Sequence, residues 1–130
     1  MILFYSQGVI DMTLFNKASQ VLLVSDINKS KDYYYEKLGF TINGQFVERG
    51  RVSFLLKEID NKNLIRPNHT INGYMESYLW VDDVDMVYEE LKARGALVEE
   101  PIVRDYGMKD FLVYDVDGYR FCIGGPKNNN

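Results

Sequence analysis

The residues best suited to chemistry in this 130-residue chain lie on one predicted strand. Along the run ESYLWVDD, four of them occupy alternate positions: Glu76, Tyr78, Trp80 and Asp82. Because successive side chains of a strand point to opposite faces, these four share one face and the residues between them face a helix. Two aromatic rings flanked by two carboxylates favour a flat, cationic, partly apolar ligand. The competing interpretation is that Tyr78 and Trp80 fill the core between two sheets.

The elements that must position these residues occur twice along the chain. VLLVSDINKSKDYYYEKLGF matches YLWVDDVDMVYEELKARGAL, so that Leu22 aligns with Leu79 and Asp26 with Asp83. Each copy predicts a strand, an aspartate that caps a helix, an amphipathic helix and a meander of strands. Gly95 is the predicted stop of the second helix. The sequence therefore predicts two copies of one structural unit.

Two motifs carry a resemblance to a known family. D-x-x-K-S-x-x-Y-Y-x-x-x-L-G-F begins at Asp26, and Y-G-M-K-D-F-x-V-x-D-x-D-G-Y spans 106–119. Over roughly residues 18–125 the chain resembles the vicinal oxygen chelate superfamily, which includes glyoxalase I, extradiol dioxygenases and bleomycin resistance proteins. The resemblance implies an α+β fold of two βαβββ modules, whose mixed, curved sheets enclose a cavity and carry helices on their outer faces.

The whole chain, residues 1–130, is predicted to be a single domain of this kind. Its modules are predicted at 18–58 and 76–125, joined by an irregular linker at 59–75 that is rich in turn-forming residues. The arm at 1–17 matches nothing in the repeat, and its apolar start suggests an extra edge strand at Ile2 to Tyr5. Asn43-Gly44 is predicted to turn the first hairpin.

The resemblance also locates the places where metal-dependent relatives hold their ion. Those places correspond here to Ser19, Phe54, Glu76 and Cys122, a set that departs from the family pattern. The only histidine, His69, lies in the predicted linker, so a site of two histidines and one carboxylate cannot be assembled within one chain. We therefore expect no bound metal, no cofactor and no catalytic residue.

Three more residues are predicted to belong to the ligand-binding face. The resemblance to bleomycin resistance proteins implies that Tyr106, which precedes Gly107, lines the ligand groove; the alternative is an ordinary exposed loop tyrosine. Arg120 and Cys122 share a strand face, where Arg120 either contacts ligand or neutralises Glu76 or Asp82. Together with the residues above, the predicted ligand-binding set is Glu76, Tyr78, Trp80, Tyr106, Phe54, Arg120 and Cys122.

Composition limits the partners. The net charge is −4 and the predicted pI is near 5.0, so the surface field should repel nucleic acid and anionic membranes. No apolar run approaches the length of a membrane span, and a single cysteine excludes an internal disulfide. We expect a cytoplasmic protein whose partner is a small molecule.

These observations favour a small-molecule binding protein of the bleomycin resistance type. It would sequester an aromatic or cationic ligand, as in antibiotic resistance, in a groove between the chains of a homodimer, without metal catalysis. A glyoxalase-like lyase or isomerase that uses Glu76 as general base is the first alternative. A structural or regulatory relative with a filled cavity is the second. The sequence thus leaves open whether the protein is an enzyme, although it leans against one.

Overall fold

The computed structural model describes residues 14–128 as two mixed sheets and two helices. The first sheet contains β1 (Gln20–Val24), β2 (Thr41–Asn43), β3 (Phe46–Arg49) and β4 (Val52–Glu58) in the order β1-β4-β3-β2. The second contains β5 (Ser77–Trp80), β6 (Leu97–Val98), β7 (Ile102–Val103), β8 (Met108–Tyr114) and β9 (Arg120–Pro126) in the order β5-β9-β8-β6, with β7 also on β8. The predicted α+β class is confirmed.

The helices α1 (Ile27–Glu36) and α2 (Val84–Arg94) begin where the aspartates predicted them to begin. Asp26 accepts hydrogen bonds from the backbone N–H groups of Asn28 and Lys29, and Asp83 accepts one from Met86. These bonds satisfy N–H groups that have no partner within the helix. Gly95 ends α2 with a φ of 89°, a left-handed conformation that costs glycine little.

One shared core joins the two sheets. Tyr34 of α1 packs edge-on against Phe40 and Phe54, and Phe54 in turn lies 4.9 Å from Phe121 of the second sheet, measured between ring centroids. The apolar stripes predicted from the sequence are Ile27, Ser30, Tyr34 and Leu38 for the first helix and Val84, Val87 and Leu91 for the second. All are buried except Ile27 and Val87, which are half-buried. Burying these rings and stripes supplies most of the driving force for folding.

The connections differ in detail from the predictions. The first hairpin turns at Gly44-Gln45, one residue later than expected, because Asn43 pairs with Phe46. The predicted irregular linker contains two short 3₁₀ helices, Lys62–Leu64 and Asn68–Thr70. Pro101, which lacks an N–H donor, lies between the short strands β6 and β7. The predicted edge strand at residues 2–5 lies outside the described residues. Within those described, neither α-helix has the length and apolar content to cross a bilayer.

Candidate functional site

Tyr78 and Trp80 form an aromatic pair at the end of β5. Their ring centroids lie 5.0 Å apart at an interplanar angle of 56°, and Trp80 is 71% exposed. Tyr78 lies over Gly124 on β9, where a Cβ atom would overlap its hydroxyl, so β9 is shaped to receive this ring. Burial raises the pKa of the Tyr78 hydroxyl, with the Cys122 thiol and Asp110 adding to the effect. The pair is neutral and rigidly supported, but open to solvent on its Trp80 side.

Two openings meet at Trp80. The first, which we call the apolar cavity, has a volume of about 510 Å³ and lies between the two halves of the chain. Its apolar lining includes Phe40, Val52, Phe54, Leu79, Phe121 and Ile123. The second, which we call the outer groove, has a volume of about 770 Å³ and is lined by residues of both sheets, including Gln20, Ser53, Tyr78 and Asp82. Both volumes fall in the range of small-molecule sites.

The strand register decides which predicted residues reach these openings. Tyr78 pairs with Cys122 and Trp80 with Gly124, so Tyr78, Trp80 and Cys122 share the outer face of the second sheet. Tyr78 and Trp80 line the outer groove, as do their neighbours Ser77 and Leu79, and Trp80 also borders the apolar cavity. Leu79 turns inward and packs against the core.

Phe54 is not on the face that the sequence analysis gave it. Phe54 pairs with Gln20, is 2% exposed and contacts Phe121 in the core. The residue that meets Ser19 is instead Ser53, at 2.7 Å between their hydroxyl oxygens. Phe54 was matched to Cys122 by counting four residues beyond the hairpin glycines Gly50 and Gly118. The count fails because β3 and β4 join through a two-residue turn, while β8 and β9 join through five residues. Phe54 therefore corresponds to Phe121, and its ring reaches the two openings from inside.

The Glu76 carboxylate accepts hydrogen bonds from two backbone N–H groups. One carboxylate oxygen accepts a 2.6 Å hydrogen bond from the N–H of Asn68 and the other a 2.9 Å bond from the N–H of Arg120. Glu76 does not line the apolar cavity or the outer groove. Its carboxylate thus fastens the linker to β9, and this geometry offers no argument for a general base.

Arg120 does not form the predicted salt bridge. Its guanidinium donates a 2.6 Å hydrogen bond to the carbonyl oxygen of Gly73, and it is the backbone N–H of Arg120 that meets Glu76. Within residues 14–128, no ion pair joins Arg120 to Glu76 or Asp82. Its Nε is buried without a hydrogen-bond partner among those residues. Arg120 therefore acts here as a tie between linker and sheet.

Next to Cys122 lies a partly exposed ion pair, Arg104–Asp110, that the sequence analysis missed. Asp110, 5% exposed, receives two hydrogen bonds from the Arg104 guanidinium, at 2.8 and 3.0 Å. Burial, followed by the charge of Asp110, raises the pKa of the Cys122 thiol to about 11, so it stays protonated at neutral pH. Tyr106 is 74% exposed. Asp110 begins the otherwise apolar run DFLVY, and this carboxylate was the signal that could have revealed the pair.

The residues at the positions where metal-dependent relatives hold their ion do not suit a metal. The Ser19 hydroxyl is hydrogen-bonded to Ser53, both oxygens of Glu76 accept backbone N–H groups, and Cys122 is a thiol rather than a thiolate. Within residues 14–128, no three His, Cys, Asp or Glu side chains converge as a metal site would require. That the protein binds no metal stays a prediction.

The charged residues of the apolar cavity, which the sequence analysis missed, come from the end of β3 and the β3–β4 turn. Arg49, Gly50 and Arg51 line it together with Val52 and Trp80. Arg49 binds Glu90 of α2 through two hydrogen bonds, at 2.6 and 3.0 Å, which lower the pKa of Glu90. Two arginines on either side of a turn glycine were visible in the sequence, but nothing local showed that the turn faces α2.

Comparison with known proteins agrees with this geometry. A family model described as the Glyoxalase/Bleomycin resistance protein/Dioxygenase superfamily matches residues 14–123. The chain belongs to this superfamily. The resemblance read from the two motifs is thereby confirmed at the level of the superfamily. No curated protein matches the chain.

Solved structures show the same superfamily fold. UcmS2 superimposes with a TM-score of 0.70 at 20% identity, covering 86% of this chain and 98% of that one. TnmS3, an antibiotic binding protein from Streptomyces sp. CB03234, gives 0.61 at 23% identity, covering 89% and 99%. A superfamily member from Sphaerobacter thermophilus DSM 20745 gives 0.60 at 22% identity, covering 86% and 98%. At these identities the similarity shows the fold alone.

Proposed function

We propose that this superfamily member binds a flat aromatic small molecule against Tyr78 and Trp80 and sequesters it without changing it chemically. The observation that carries the proposal is the Tyr78–Trp80 pair, which lines the outer groove of about 770 Å³ and through Trp80 also borders the apolar cavity. Offset or edge-on stacking on such rings contributes roughly 0.5–1.5 kcal/mol beyond the burial of area. TnmS3, described as an antibiotic binding protein, supports an antibiotic as the class of ligand.

The test uses Trp80 as a built-in reporter, since it is the only tryptophan of the chain. A panel of planar aromatic compounds, including aromatic antibiotics, is titrated while tryptophan emission is recorded. A binder should quench or blue-shift the emission as Trp80 loses contact with water. The ligand is then recovered and analysed by mass spectrometry, where an unchanged mass is expected after prolonged incubation.

Tyr78→Ala should weaken binding about tenfold, which corresponds to roughly 1.4 kcal/mol of lost stacking and burial. Tyr74→Ala is the matched control, because Tyr74 is another exposed tyrosine that lines neither opening. Equal affinities of the two variants for the same compound would contradict the proposed site. Conversion of the bound compound into a product would instead promote the enzyme alternative.

A further inference from the structure

The charges around the apolar cavity point to a particular kind of ligand. Among its described lining residues, the charged ones are Arg49 and Arg51, and no carboxylate belongs to the lining. The remaining lining is apolar apart from Gly50 and the indole N–H of Trp80. A cavity of this kind presents positive charge at one edge and hydrocarbon elsewhere.

The two arginines are not equivalent. Arg49 is occupied: its guanidinium binds both oxygens of Glu90 and also donates a 2.8 Å hydrogen bond to the carbonyl oxygen of Leu38. Within residues 14–128, the Arg51 guanidinium forms no ion pair with an acidic side chain. Arg51 is exposed and lines both the apolar cavity and the outer groove. Its guanidinium donors are therefore available to a ligand at either opening.

We propose that the apolar cavity takes an amphipathic anion, with its apolar or aromatic body in the cavity and its carboxylate on Arg51. The inference rests on the proposed binding function and deepens it by reversing the sign of the charge expected from sequence. A planar carboxylate matches the forked donors of a guanidinium, and such charge-assisted hydrogen bonds are stronger than neutral ones. Asp82 lines the outer groove but not the apolar cavity, so it does not oppose the anion there.

Three probes that share one ring and differ in charge test the inference: 4-nitrobenzoate, 4-nitrobenzyl alcohol and 4-nitrobenzylammonium. Nitroaromatic rings quench tryptophan, so Trp80 emission reports the binding of each. We expect 4-nitrobenzoate to bind about tenfold more tightly than the alcohol and the ammonium probe to bind most weakly. Because Arg51 is exposed, this preference should shrink as salt is raised from low ionic strength to about 1 M.

Arg51→Gln should abolish the preference for the carboxylate while leaving the affinity for the alcohol within about twofold. Arg51→Lys should restore part of it, because the charge returns without the fork. Arg66→Gln is the matched control, since Arg66 is an exposed arginine that lines neither opening. A preference unchanged in Arg51→Gln, or lost equally in Arg66→Gln, overturns the inference.

The outcomes separate this inference from the proposed function. Equal binding of all three probes overturns the inference of an anionic ligand and leaves the proposed aromatic site unaffected. If neither these probes nor any larger aromatic compound quenches Trp80, the proposed function itself is contradicted. A blue-shifted Trp80 emission in the protein alone would mean that protein covers the opening. If that shift grows with protein concentration, a second copy is the occupant. In either case the small-anion inference is overturned.

Discussion

The Tyr34 hydroxyl donates a 2.7 Å hydrogen bond to Asp115, linking α1 to the loop between β8 and β9 across 81 residues of sequence. The other carboxylate oxygen of Asp115 accepts the backbone N–H groups of Asp117 and Tyr119, at 3.0 and 2.9 Å. Burial raises the pKa of Asp115 to about 7 and the pKa of Tyr34 well above its usual value. A titratable carboxyl therefore lies where the two halves of the chain meet.

Stability should depend on the proton carried by Asp115. Between about pH 4 and pH 7 the folded protein keeps a proton that the unfolded chain releases, because the folded pKa is the higher one. The unfolding free energy should therefore fall as pH rises through this window, by at most about 4 kcal/mol. Asp115→Asn should flatten this dependence, as measured by urea unfolding at several pH values.

Asp105→Asn is the control for that experiment, since Asp105 is an exposed carboxylate in the loop before β8. It should leave the slope between pH 4 and pH 7 as in the parent protein. Stability that rises through this window, or an equal slope in Asp115→Asn, would show that Asp115 is ionised in the folded protein across it.

Glu76→Gln should lower stability rather than ligand affinity. An amide offers one oxygen where the carboxylate offers two, so the N–H of Asn68 or of Arg120 loses its acceptor. We expect a loss of about 1–2 kcal/mol in the free energy of unfolding. Glu89→Gln, an exposed change on α2, should be nearly neutral. Selective loss of a cationic ligand at unchanged stability would restore Glu76 as a ligand contact.

Purified protein should contain no stoichiometric nickel, zinc, iron or manganese. The donors at the old ligand positions are already hydrogen-bonded or protonated, so no metal should contribute to folding. Elemental analysis and thermal unfolding with and without EDTA check this. One metal ion per chain that is lost in Cys122→Ala or Glu76→Ala would refute the metal-free prediction and reopen the enzyme alternative.

A homodimer is predicted at micromolar concentration, but through a different surface from the one that the sequence suggested. From the sequence, the aromatic-rich run Val52 to Leu56 offered a contact surface, but it lies in the central strand β4 and its Phe54 and Leu56 are buried. The second half instead exposes apolar side chains at Leu97, Ile102, Val103 and Tyr106. Light scattering should give twice the chain mass, and Ile102→Lys should lower it. A monomer in both would contradict the prediction.

Much of the fold could be predicted from local sequence patterns. The aspartate caps, most of the apolar stripe of each helix and the glycine that ends α2 were predicted correctly, because each depends on residues within a few positions along the chain. The shared outer face of Tyr78 and Trp80 was also correct, since alternation along a strand is local. Superfamily membership followed from two motifs of the same local kind.

Only the tertiary structure decided what those faces meet. Glu76 was placed on the ligand face, yet two backbone N–H groups hold it, one from the linker and one from β9. Phe54 was shifted by one position because the two hairpins have turns of different lengths, which no count within one module reveals. Arg51 reaches the cavity and Asp115 joins the two halves through partners distant in sequence. Contacts of this range follow from packing, which strand and helix periodicity does not encode.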